Sequence, residues 1–226
     1  MTVSGTVNKA GILMLLVVFS AAWVWNQFFD QMEPTPGVVS GYMMGGAIGG
    51  FIAAMVTIFK KEWAPATAPV YAVLEGLFLG GFSAIMELRF PGIAIQAVAA
   101  TFGTCLVMLL AYRSGLIRAS EKLTMGIVAA TGGIALIYLA SMILGFFNVQ
   151  IPGIFGSGPI GIVFSLVVVV IAALNLILDF AVIEDGARQG APKYMEWFAA
   201  FGLMVTLVWL YLEIVRLLSK LRDDRR

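Results

Sequence analysis

Seven apolar blocks, parted by charged or Pro/Gly-rich breaks, limit what this chain can fold into more than any other feature. They lie at about residues 10–28, 38–59, 65–86, 93–112, 124–147, 160–183 and 197–218. Each is close to the roughly 20 residues a helix needs to cross the hydrocarbon core of a bilayer. Barrel strands would be about 10 residues long and would alternate apolar with polar side chains. These blocks do neither. They predict seven transmembrane helices in one domain spanning 1–226, embedded in a lipid bilayer and carrying no soluble appendage. Composition agrees: 61% of residues are hydrophobic and 12% are charged, against about half and a quarter in a soluble domain. The first block has features of a signal peptide, but its apolar run continues through Trp23 and Trp25. It is read as an uncleaved first span.

Several chemistries are excluded at this level. A net charge of +1 gives no electrostatic footprint for nucleic acid. The chain has no histidine, which removes serine–histidine triads, HExxH zinc sites and histidine-held haem. No catalytic residues, metal ligands or cofactor are therefore expected, and the chain is not read as an enzyme. Cys105 is the sole cysteine, so no intrachain disulfide can form. All six lysines fall in predicted loops or tails, leaving none in the last span for a retinal Schiff base. The Gly-rich pieces lie inside apolar helices, not between a strand and a helix, so they are not phosphate loops.

Lys and Arg bias sets orientation. The amino terminus and loops 2–3, 4–5 and 6–7 carry Lys9, Lys60, Lys61, Arg113, Arg118, Lys122, Arg188 and Lys193, while the opposite loops carry only Arg89. This predicts an inside amino terminus and, after seven crossings, an outside carboxyl terminus. The tail opposes it with Lys220, Arg222, Arg225 and Arg226, diluted by Asp223 and Asp224. Gly41, Gly45 and Gly49 fall four apart, as do Gly76 and Gly80. Such spacing lets helices approach closely in lipid and predicts packing within the monomer.

A charge deep in a bilayer costs at least about 2.5–3.5 kcal/mol on insertion scales, so intramembrane charges are functional candidates. Four stand out: Glu75, Asp179, Glu213 and Arg216. Asp179 is followed by apolar "FAVI", which counts against a helix end there. Asn175 precedes it by one turn on the same face, and Ser165 continues that stripe. Arg216 is three residues after Glu213 and can reach it along one helix face. Glu75 has no evident partner in its own helix; it either pairs across helices, with Arg216 the candidate, or is protonated at neutral pH, and with Asn175 it is a candidate for a polar interior. Glu87 and Arg113 lie at block ends, and Glu184 and Asp185 read as a solvated loop.

The segments "LNLILDFAVIEDG" and "LVWLYLEIVRLL" resemble the closing spans of the Bax inhibitor 1 family. "PVYAVLEGLFLGGFSAIM" and "GPIGIVFSLVVVV" are similar to its bacterial branch. The resemblance implies an all-α membrane fold with the last helix central within two three-helix layers. It also implies a pH-sensitive calcium leak channel in a bacterial cytoplasmic membrane, gated by two proton-sharing acids in the last two helices. By position these are Asp179 and Glu213, with Glu in place of the family's second Asp. Two adjacent carboxyls in low dielectric titrate as a coupled unit. Arg216 departs from the pattern and would weaken that sharing. A geometric condition also applies: with a last helix starting at Trp197, Glu213 lies 16 residues along, about 24 Å. The two acids meet only if "APKYMEWF" lies flat at the interface. Two other functions stay open: a non-conducting protein that restrains a membrane-bound protease, as some bacterial relatives do, and a proton-coupled transporter.

Overall fold

A computed structural model describes residues 1–32, 35–147 and 154–224. It contains seven long helices: α1 (Val3–Phe29), α2 (Pro36–Phe59), α3 (Ala64–Arg89), α4 (Ile93–Arg113), α5 (Glu121–Phe146), α6 (Pro159–Arg188) and α7 (Met195–Asp223). The shortest has 21 residues, about 32 Å at 1.5 Å per residue, enough to span a hydrocarbon core. All seven are long and apolar enough to cross a membrane. Part of the predicted break between α5 and α6, residues 148–153, lies outside the described residues, as do Arg225 and Arg226.

The structured spans begin and end within a few residues of the apolar blocks, except that α1 starts seven residues before its block and the last two helices overrun theirs. There the helix runs on: α6 continues five residues past its block to Arg188, carrying Glu184 and Asp185 with it. These acids are not in a loop. Asp185 pairs with Arg188 one turn later, inside the helix. Gly190, at φ +65°, ends this run in the left-handed conformation that favours glycine.

The helices group into two compact units. The first comprises residues 1–94 and 181–205, thus α1, α2, α3, the end of α6 and the start of α7. The second comprises 95–180 and 206–226, thus nearly all of α4, all of α5, most of α6 and the rest of α7. Both therefore draw on α6 and α7. Helix α7 buries the largest share of its apolar stretch, 61% against 39% or less elsewhere.

In the first unit, glycines set the crossings. A Cβ on Gly76 or Gly80 would collide with the α1 backbone at Val17 or Ala21. One on Gly46 would collide with the α3 backbone at Leu74 and Phe78. Gly49 packs on the Leu74 side chain, but Gly41 and Gly45 meet nothing within 4 Å. The packing stripe of α2 is therefore shifted by a residue from the one predicted, to Gly46 and Gly50. Counting fours in "GYMMGGAIGG" cannot tell which of two adjacent glycines faces a neighbour.

Glu196, in the first turn of α7, ties the start of that helix to the start of α1. It is 2% exposed. Its carboxylate accepts from Thr2 N (2.9 Å), Thr2 Oγ1 (3.1 Å) and Lys9 Nζ (2.5 Å). Thr2 is itself the N-cap of α1, accepting from Gly5 N. Two helix starts at one end are what six intervening crossings require. Glu87, read as a block-end residue, accepts from Gly92 N and Ala94 N (2.5 and 3.1 Å) and so satisfies donors at the start of α4.

Candidate functional site

The second unit holds most of the intramembrane charges, and the register between α6 and α7 arranges them. Lys220 on α7 donates to Ser165 Oγ on α6 at 2.9 Å. Fourteen residues later on α6, Asp179 has the Thr206 hydroxyl beside its carboxyl. Thr206 is also fourteen residues from Lys220, in the opposite direction. The helices therefore run antiparallel with a constant register, and halfway along it Ala172 stands opposite Glu213. Thr206, Glu213 and Lys220 repeat every seven residues and so share one face of α7.

Glu213 is 1% exposed. Its Oε1 accepts from Tyr138 Oη at 2.9 Å and from Arg216 Nη1 at 2.7 Å. Arg216 donates to Tyr138 Oη as well, at 2.6 Å, and its guanidinium lies 4.9 Å from the centre of that ring. The three groups close a triangle between α5 and α7. Ala172, opposite Glu213 in this register, is fully buried.

Two buried carboxylate oxygens have no hydrogen-bond partner among the described residues: Asp179 Oδ2 and Glu213 Oε2. The two acids are not hydrogen-bonded to each other. Asp179 lies at the level of Thr206, and Thr206 precedes Glu213 by seven residues, about 10.5 Å of helix. The condition for their meeting is not fulfilled, because α7 is helical from Met195 onward. Glu213 is therefore 18 residues along it, about 27 Å. Asp179 itself is well inside α6, nine residues before its end.

What these groups can do differs. Glu213 has its charge offset by Arg216 one turn away. Asp179 has neutral groups beside it, the Thr206 hydroxyl and, near enough to feel its charge, the Cys105 thiol. Ionised, Asp179 places a charge in a buried interior with no counter-ion at hydrogen-bond distance among the described residues; protonated, it is neutral and tolerated there. Among the described residues no three His, Cys, Asp or Glu side chains come together as metal ligands would.

A family model, Bax inhibitor 1 like, matches residues 1–223 of the 226. The chain belongs to the Bax inhibitor 1-like family. It is a multi-pass, Bax-inhibitor-like membrane protein. No curated protein and no solved structure matches it.

Within this family member the remaining expected residues have local partners. Asn175 turns to α5, donating to Thr131 Oγ1 and to Ile171 O, both at 2.9 Å. Glu75, in the first unit, does have a partner in its own helix: the Tyr71 hydroxyl one turn earlier. Its Oε2 also faces Gly50 of α2, 3.3 Å from where a Cβ would stand. An i, i+4 Tyr–Glu pair is readable from sequence. Lys220 is not in a free tail but buried in α7, at 6% exposure. The exclusion of a retinal lysine by position therefore fails. What occupies Lys220 instead is three hydrogen bonds, to Ser165 Oγ, Gly161 O and Ile154 O. Its seven-residue spacing from Glu213 is the signal that would have found it. Tyr138 gives no such signal, because nothing local in α5 marks it.

Proposed function

We infer that this Bax-inhibitor-like protein provides a leak pathway for cations, calcium foremost, controlled by protonation of intramembrane carboxylates. The observation that carries this reading is the buried, unpartnered Asp179 Oδ2. An ionised carboxylate so placed is relieved by a cation drawn toward it or by movement of the helices around it. Adding a proton removes both needs. The sign follows: low pH favours the neutral, closed interior and rising pH favours the conducting state.

Direct proton sharing between Asp179 and Glu213 is not part of this reading, given the two turns between their levels. Asp179 carries the switch. Glu213, clamped by Arg216 and Tyr138, fixes α7 against α5 and presents a second acceptor oxygen further along the same face. The proposal includes no catalytic step. It places the protein in the cytoplasmic membrane of a bacterium, following the family branch that its segments resemble. Calcium entry into liposomes holding the purified protein tests it. Flux that rises with pH and exceeds that of protein-free vesicles is expected. Flux equal to that of empty vesicles at every pH would reject it and leave the protease-partner and proton-coupled-transporter readings standing.

A further inference from the structure

Lys220 lies three residues from the end of α7. A lysine so near a helix end ordinarily extends its stem and places its ammonium in the headgroups. This one turns inward. All three ammonium hydrogens are used, on Ser165 Oγ (2.9 Å), Gly161 O (3.0 Å) and Ile154 O (3.1 Å). These partners are neutral oxygens, so the charge is held as an alkali cation would be held, by carbonyl and hydroxyl dipoles. Gly161 and Ser165 stand one turn apart near the start of α6, where the helix dipole disfavours a cation. The charged groups that act on Lys220 are Arg216, a like charge one turn away, and Glu213, two turns away on the same face. A cation is thus kept in an unfavourable field by an oxygen cage.

We propose that Ile154 O, Gly161 O and Ser165 Oγ form a binding site for a small cation or primary ammonium, and that Lys220 is a tethered occupant that keeps it shut. The site stands in line with Thr206 and Glu213 along α7, so its vacancy would extend the row of oxygens available to a cation. The blocking role rests on the cation-pathway reading. The oxygen site itself does not.

Lys220→Ala removes three carbons and the ammonium, the outline of n-propylammonium. In detergent, n-propylammonium chloride is expected to raise the Tm of Lys220→Ala by about 2–4 °C or more. Tetramethylammonium, which has no N–H to donate, is expected to have no such effect at equal ionic strength, and neither salt should move the wild-type protein. If the variant aggregates, n-propylammonium present during extraction should restore a monodisperse protein and tetramethylammonium should not. Equal responses to the two salts, or aggregation in both, would overturn the site. In liposomes, Lys220→Ala is expected to raise cation flux severalfold, and n-propylammonium to suppress the increase. A variant that responds to n-propylammonium in detergent yet leaves flux unchanged would overturn the blocking role alone. A wild-type protein that never conducts would sink the pathway reading while leaving the Tm test decisive for the site.

Discussion

At the scale of single residues, the Glu213–Arg216–Tyr138 triangle is an interaction whose parts have unequal weight. Glu213 is almost wholly buried whereas the Arg216 side chain is 39% exposed. Losing the arginine therefore strands a buried charge, while losing the glutamate leaves a cation that can turn outward. Arg216→Met is expected to destabilise the protein by about 2–3 kcal/mol, within the range for a buried group left without its partner. Tyr138→Phe, which leaves Glu213 its guanidinium, should cost about 1 kcal/mol. Adding Glu213→Leu to Arg216→Met should recover most of the first loss, because replacing both members of a buried pair with apolar groups is close to neutral. Unfolding in mixed micelles measures all three. A double variant no more stable than Arg216→Met alone would mean that the pair is not what the arginine supports.

At the scale of helices, the register of α6 on α7 decides which acids can meet. It rests on two contacts fourteen residues apart, Ser165 with Lys220 and Asp179 with Thr206. In a Cys105→Ser background, Ala172→Cys with Glu213→Cys is expected to form a disulfide under mild oxidation. Asp179→Cys with Glu213→Cys should not, since Cα atoms more than about 7 Å apart cannot be bridged. Bridging of the second pair and not the first would place the two acids side by side and restore direct proton sharing. A further test concerns α1 on α3. Gly80→Val should destabilise severely, because its Cβ alone would strike the backbone of Ala21, while Gly45→Val should be tolerated in its open surroundings. Thermal unfolding of the two variants separates them.

What was legible in the sequence follows the same division. Helix positions were readable because burial in lipid demands about 20 apolar residues in a row, and nothing else in this chain produces that pattern. The charged candidates were readable because a carboxylate among leucines is costly wherever it lies. Partners were not readable when they came from another helix. Tyr138 meets Glu213 across 75 positions of sequence, and the inward turn of Lys220 depends on oxygens of Ile154, Gly161 and Ser165, before and within the first turns of α6. The pairing of Asp179 with Glu213 was expected from family position alone. The spacing along α7 from Met195 separates them.

At the scale of the whole molecule, topology and conduction are the claims at stake. Eight Lys or Arg residues at the amino terminus and on the loops of its side, against one on the opposite loops, predict a cytoplasmic amino terminus, with the basic carboxyl-terminal tail opposing. With seven crossings the carboxyl terminus is then expected outside. The Thr2–Glu196 contact brings the starts of α1 and α7 to one end, as an even number of crossings between them requires. Reporter fusions at both termini should show opposite sides. Both in the cytoplasm would rule out seven full crossings. The central claim, that Asp179 is the proton switch of a cation leak, is tested most directly by calcium flux into liposomes at stepped pH, wild type against Asp179→Asn. The wild-type flux should fall several-fold on acidification, and the variant, which cannot ionise at this position, should show a flux nearly independent of pH. An Asp179→Asn protein whose flux follows the wild-type pH profile would contradict the account.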